Sequence, residues 1–166
     1  MEKTYLWPPG ARDQALKVSV ASHRQIRFLL QELDRQFRDL PLPLETLTPL
    51  VLVAHDTITH LANDPENREH IYYLCLCLRI LLRMAESFAI VPFVVQGILQ
   101  VAKRHKVEFP TEARAIADSL KHDRFRGAPA TTVKTTLPID LGLMQSDEEA
   151  SQLRNIIKEV EKMTLN

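Results

Sequence analysis

Between Ile71 and Ala85 the apolar residues recur every three or four positions: Ile71, Leu74, Cys75, Leu78, Leu81, Leu82 and Ala85. An α-helix turns about 100° per residue, so this spacing lines them up along one face for several turns. Further apolar residues between them require cover on more than one side. A helix that must be covered all round is a central helix, and the chain is expected to wrap other helices about it.

The rest of the sequence supplies those helices. From Ala11 to about Asp39, Ile26, Leu29, Leu30, Leu33 and Phe37 form one stripe, leaving Arg24, Arg27, Glu32, Arg35 and Arg38 to face water. Pro41 and Pro43 end that helix, since proline lacks the amide and disfavours helix in the residue before it. A second helix is predicted from Leu44 or Glu45 to Ala62. Asp64 is then expected as N-cap of the central helix, with Pro65 at its first position. Pro92 lies near the start of a fourth helix carrying Val94, Val95, Ile98 and Leu99. The basic run Lys103 to Lys106 closes it, at the negative end of the helix dipole. Pro110 and Thr111 open a short fifth helix to about Leu120.

From Lys121 to Gln145 neither a helical nor a strand period holds, and Gly127, Pro129, Pro138 and Gly142 punctuate the segment. It reads as a linker, or as an arm lying on the body. Within it, Leu137 to Met144 mixes bulky apolar and acidic residues, as docking peptides do and as a cover for an apolar surface would. Ser146-Asp147-Glu148-Glu149 is a capping start for a last amphipathic helix whose stripe is Leu153, Ile156, Ile157, Val160 and Met163. The expected fold is all-α: an irregular helical bundle over residues 1–122, an arm over 123–145 and an amphipathic helix over 146–166.

Composition narrows the function. The 21 basic and 21 acidic residues cancel, whereas a domain that binds nucleic acid by itself usually carries a basic excess. No direct nucleic-acid contact is expected. Arg79, Arg83 and Glu86 interrupt the most apolar stretch, Ile71 to Leu99, so no membrane span is expected either. Met1 to Gly10 is polar and proline-rich, without an apolar signal core. Cys75 and Cys77 are the only cysteines, and two residues apart on a helix they point to different sides. They read as small buried side chains in a reducing, nuclear or cytoplasmic, compartment.

No glycine-rich phosphate loop, His-Glu-x-x-His, Cys-x-x-Cys or Gly-x-Ser-x-Gly is present. One constellation has the right chemistry for a divalent ion: His55-Asp56 with His23 before it and Asp118 or Asp123 after it, the ligand order of HD-type metal-dependent phosphohydrolases. The residues that follow, Thr57-Ile58-Thr59-His60, depart from the usual glycine-containing continuation. His55 and His60 are five apart, off the three- or four-residue spacing of one helical face. The expectation is therefore no enzyme, no metal and no cofactor, with the phosphohydrolase as an alternative.

Four segments carry a family resemblance: Ala21-Ser22-His23-Arg24-Gln25-Ile26 with Leu29-Leu30, Ala54 to Leu61, Tyr72 to Leu81, and Phe88 to Leu99. Together, over about Ala11 to Leu120, they resemble the C-terminal part of the fungal-specific transcription factor domain found downstream of a binuclear zinc cluster. The zinc cluster and the front half of that domain are absent from this chain. The resemblance implies a nuclear, regulatory, non-catalytic helical domain acting through a protein partner or self-association, as a truncated product or fragment. It transfers no site residues. The expected docking surface is Leu153, Ile156, Ile157, Val160 and Met163, provided that this stripe is not folded back. A generic helical adaptor is the other reading.

Overall fold

The computed structural model of the chain describes residues 8, 10–38, 40, 42–122 and 135–164, with 120–122, 145 and 159–164 described by their backbone alone. Those residues form an all-α structure with α1 over Ala11–Gln36, α2 over Leu47–Asn63, α3 over Arg68–Met84, α4 over Val91–Arg104, α5 over Thr111–His122, α6 over Glu148–Ser151 and α7 over Leu153–Thr164. Two 3-10 turns, Leu44–Thr46 and Leu143–Gln145, precede α2 and α6.

α3 is the central helix. It touches α1, α2, α4 and α5, and its second side is covered as well, with Leu76, Cys77 and Ile80 wholly buried beside Leu74, Leu78 and Leu81. The core continues into Leu50, Val53, Ala54 and Ile58 of α2 and Val91, Val94, Val95 and Ile98 of α4. Both cysteines are free and buried, and burial raises their thiols to about 11 at Cys75 and about 12 at Cys77.

α2 starts at Leu47, its expected first residues forming the 3-10 turn Leu44–Thr46, and three further boundaries differ from the sequence reading, each for a local reason. α1 ends at Gln36, three residues early, where the Phe37 amide closes on the Leu33 carbonyl. α3 starts at Arg68, not at Pro65. Asn67 is its cap, its side-chain oxygen accepting the His70 amide at 3.2 Å, while the Asp64 amide still serves the last turn of α2. The final helix is two helices. Asp147 caps the first, accepting the Ala150 amide at 3.0 Å. At Gln152 the backbone turns extended (ψ 142°) because the groups around it pair with the arm instead. Ile139 donates its amide to the Ser151 carbonyl at 2.9 Å, and Leu153 donates to the Leu137 carbonyl at 2.9 Å. The arm seen from Thr135 to Gln145 therefore covers the body, with Ile139 and Asp140 buried; residues 123–134 lie outside the described residues.

Candidate functional site

The side chains of His55 and Asp56 diverge, as neighbours on a helix must, and each organises its own cluster. Asp56 faces α1. Its Oδ2 accepts a short hydrogen bond from Arg27 Nη2, and its Oδ1 lies 3.2 Å from His23 Nδ1 and 3.5 Å from His60 Nδ1. Arg27 also reaches Glu69 at 3.5 Å and His70 Nδ1 at 3.2 Å, and its guanidinium stands 5.2 Å from the centre of the Tyr73 ring. The sequence reading left Arg27 to water. Instead its side chain is only 12% exposed and ties α1 to both α2 and α3. His60 stacks on His70 with ring centres 4.4 Å apart. Desolvation, then the nearby Arg27 and His60, push the His70 imidazole below its ordinary value.

His55 faces the arm. Its Nε2 accepts the Gly142 amide at 3.2 Å and lies 3.6 Å from Asp140 Oδ1. Asp140 Oδ1 also accepts the Leu143 amide at 3.1 Å, and Oδ2 accepts Arg104 Nη1 at 3.0 Å. The His105 ring meets His55 edge-on, with centres 5.9 Å apart. The adjacent His55, aided by the Leu143 amide and Arg104 and against the effect of burial, holds the Asp140 carboxyl far below the usual carboxylate range. Ligand atoms of His55, His105 and Asp140 all lie within 4.8 Å of one another.

Among the described residues, the ligand set read from the sequence does not converge in this way. His23 meets Asp56 and His55 meets Asp140, while Asp118 of α5 lines a separate cleft of about 320 Å³ with Lys103 and Arg114. The His-Asp pair is split between two faces of α2.

The described part of the expected docking stripe is folded back. Leu153, Ile156 and Ile157 are at most 2% exposed, in the core formed where α7 meets α4; the side chains of Val160 and Met163 lie outside the described residues. Among the described residues, α1 carries the most exposed large apolar side chains of any helix: Leu16, Val18, Val20, Phe28 and Leu29. Leu16 and Val20 continue the stripe of His23, Arg27 and Leu30 along the helix, but they overhang the body and are exposed. On the opposite side Val18, Ala21, Gln25 and Phe28, spaced three, four and three, form a second exposed seam. Leu29 adjoins it, and Phe28 and Leu29 are 60% and 58% exposed beside Arg24 and Gln25.

Sequence reasoning placed Leu29 in the buried stripe because 26, 29, 30, 33 and 37 share a broad arc; the body covers only the Ile26, Leu30 and Leu33 part of it. The available signal for an outer seam was the three-four-three spacing from Val18 to Phe28. His105 and Asp140 escaped notice because the one sat in a basic run and the other in an aperiodic arm. Among the described residues, no helix is long and apolar enough to cross a membrane. Comparison with known proteins finds no matching family model, no matching curated protein and no matching solved structure.

Proposed function

We propose that the chain is a non-catalytic protein-interaction domain that docks an amphipathic helix, from a second copy or another protein, along the outer face of α1. The observation that carries this is the exposure of Val18, Phe28 and Leu29 on a 26-residue helix with Ala21 between them. A large apolar row of this kind on a solvent-facing helix marks a binding surface. The three-four-three repeat suits the seam between two packed helices, and the polar Gln25 within it would fix register. The body anchors the other side of the same helix through Arg27 and Leu30, so the seam is presented on a rigid element.

The narrower placement, in a nuclear regulator of the fungal transcription factor family, rests on the sequence resemblance alone. A generic helical adaptor uses the same surface. The HD-type phosphohydrolase is the less favoured alternative, since its ligands are divided between the two sides of α2.

The test is a photo-reactive phenylalanine analogue at position 28, with a second at exposed Glu66 as control, combined with sedimentation of the purified chain. Cross-links to a polypeptide from position 28 and not from 66, abolished by Leu29→Asp, support the reading. A monomeric chain that yields no position-specific polypeptide cross-link in cell extract overturns it.

A further inference from the structure

We propose that His55 of α2, His105 at the end of α4 and Asp140 of the arm form a binding site for a divalent transition-metal ion, with zinc the best-fitting ion. The site would fasten the arm to the helical body. It is independent of the α1 surface, which lies on another part of the molecule's sequence and shares none of these residues.

Geometry carries the argument. Zinc holds imidazole nitrogen and carboxylate oxygen at about 2.0–2.2 Å, so two ligand atoms at a tetrahedral centre stand roughly 3.3–3.5 Å apart. His55 Nε2 and Asp140 Oδ1 are 3.6 Å apart, and one ligand atom from each of His55, His105 and Asp140 lies within 4.8 Å of the other two. Moving the His105 nitrogen inward to the spacing of a tetrahedral centre would close the triangle. That movement breaks little, because among the described residues His105 makes an edge contact with His55 and no hydrogen bond is found for its ring.

His55 Nε2 accepts the Gly142 amide at 3.2 Å, and Asp140 Oδ1, 3.6 Å away, accepts the Leu143 amide at 3.1 Å. A metal ion between the two would take the lone pair that Nε2 offers to Gly142. Metal binding exchanges one contact, the Gly142 amide on Nε2, for a coordinate bond. The supporting contacts on the carboxylate stay in place. Arg104 Nη1 holds the outer oxygen at 3.0 Å and the Leu143 amide holds the inner one at 3.1 Å, the arrangement by which neighbours orient a metal-binding carboxylate. Two imidazoles and one carboxylate suit zinc, nickel, cobalt or ferrous iron over calcium or magnesium, which take oxygen ligands. Three protein ligands leave a coordination position for water or a fourth group.

The mechanical consequence follows from where the ligands sit. α2, α4 and the arm meet here and are far apart in sequence, so an ion would cross-link the turn at Asp140–Leu143 to both helices. Metal would then add a further tie to the contacts that already hold the arm on the body.

The experiment is calorimetric titration of the chelator-treated full chain with Zn²⁺ alone, repeated with Co²⁺ while recording its visible absorption. The variants are His105→Ala, Asp140→Asn and, as control, His60→Ala in the other histidine cluster. We expect one ion per chain and a tetrahedral-type Co²⁺ spectrum. His105→Ala should weaken Zn²⁺ binding by more than the roughly 10–100-fold that loss of a supporting residue costs, with His60→Ala unchanged. Because no hydrogen bond is found for the His105 ring among the described residues, that variant should fold even if Asp140→Asn does not, and circular dichroism checks both. Absence of stoichiometric binding overturns the proposal. So does binding that survives His105→Ala, or that His60→Ala removes equally, either of which places the ion elsewhere.

Discussion

A methyl group on Gly97 of α4 would lie 3.0 Å from Cγ2 of Ile139 and 3.1 Å from Cδ1 of Leu153. Gly97 is therefore the point at which the arm and α7 come down on the bundle, and the missing side chain is what allows two buried branched residues to sit there. Glycine inside a helix costs about 1 kcal/mol relative to alanine, so this one is retained at a local cost that close packing offsets. Gly97→Leu should displace the arm and α7 while leaving α2 and α3 together. Limited proteolysis should show faster cleavage within residues 135–152 with the bundle fragment surviving. Unchanged protection of that segment would show that the contact is not what holds it.

Arg27 should be the residue that keeps α1 on the body. Its guanidinium serves Asp56, Glu69 and His70 and lies against Tyr73. Arg27→Ala leaves Asp56, 14% exposed, without its principal cation, a loss of about 1–3 kcal/mol for a charged hydrogen bond. Arg27→Lys should recover only part of this, since an ammonium cannot reproduce the fork and the face-on contact together. Denaturant melts of the two variants check the order. Equal stability of wild type and Arg27→Ala would place α1's anchoring in Ile26, Leu30 and Leu33 and in the Asp34–Arg83 pair at 2.9 Å.

Much of this fold was legible in the sequence because helix-forming stripes and prolines are local signals. The central helix, the Pro92 start of α4 and a helix start within Ser146–Glu149 all follow from residues within a few positions of each other. What was not legible depended on partners far along the chain. Gln152 breaks the last helix only because residues 151 and 153 hydrogen-bond to the arm, and no residue near Gln152 announces that. Likewise, Leu29 and Leu30 are chemically alike, and only the position of α2 and α3 decides that one is buried and the other exposed. The His55–His105–Asp140 group draws on three segments separated by 50 and 35 residues, whereas the legible His55-Asp56 pair proved to be two side chains with separate neighbours.

Acid should destabilise the protein through His70. Its folded value lies below the ordinary 6.5, from desolvation first and then from Arg27 and His60. A histidine depressed in the fold binds its proton more readily when unfolded. Stability from this residue is therefore present above about pH 6.5 and is lost as pH falls from there through the lower folded value. Thermal melts between about pH 7.5 and about pH 5.5 should show a drop that is smaller in His70→Gln, which keeps a polar side chain beside Arg27. An identical drop in both proteins would assign the acid sensitivity to other groups.

The cysteines should be inert in the native state. Both are buried in α3, and desolvation holds Cys75 at about 11 and Cys77 at about 12, so almost no thiolate exists near neutral pH. Thiolate is the reactive form, and access requires α3 to come out of its neighbours. A disulfide-exchange reagent at mildly alkaline pH should label neither residue on the time scale of a free thiol and should label both at once in denaturant. The native labelling rate then reports the opening of the core, and a variant such as Leu78→Ala, expected to lose about 2–5 kcal/mol by leaving a cavity beside them, should accelerate both cysteines together. Fast labelling of Cys75 alone in the wild type would mean that α5, which passes over α3 on that side, opens independently of the rest.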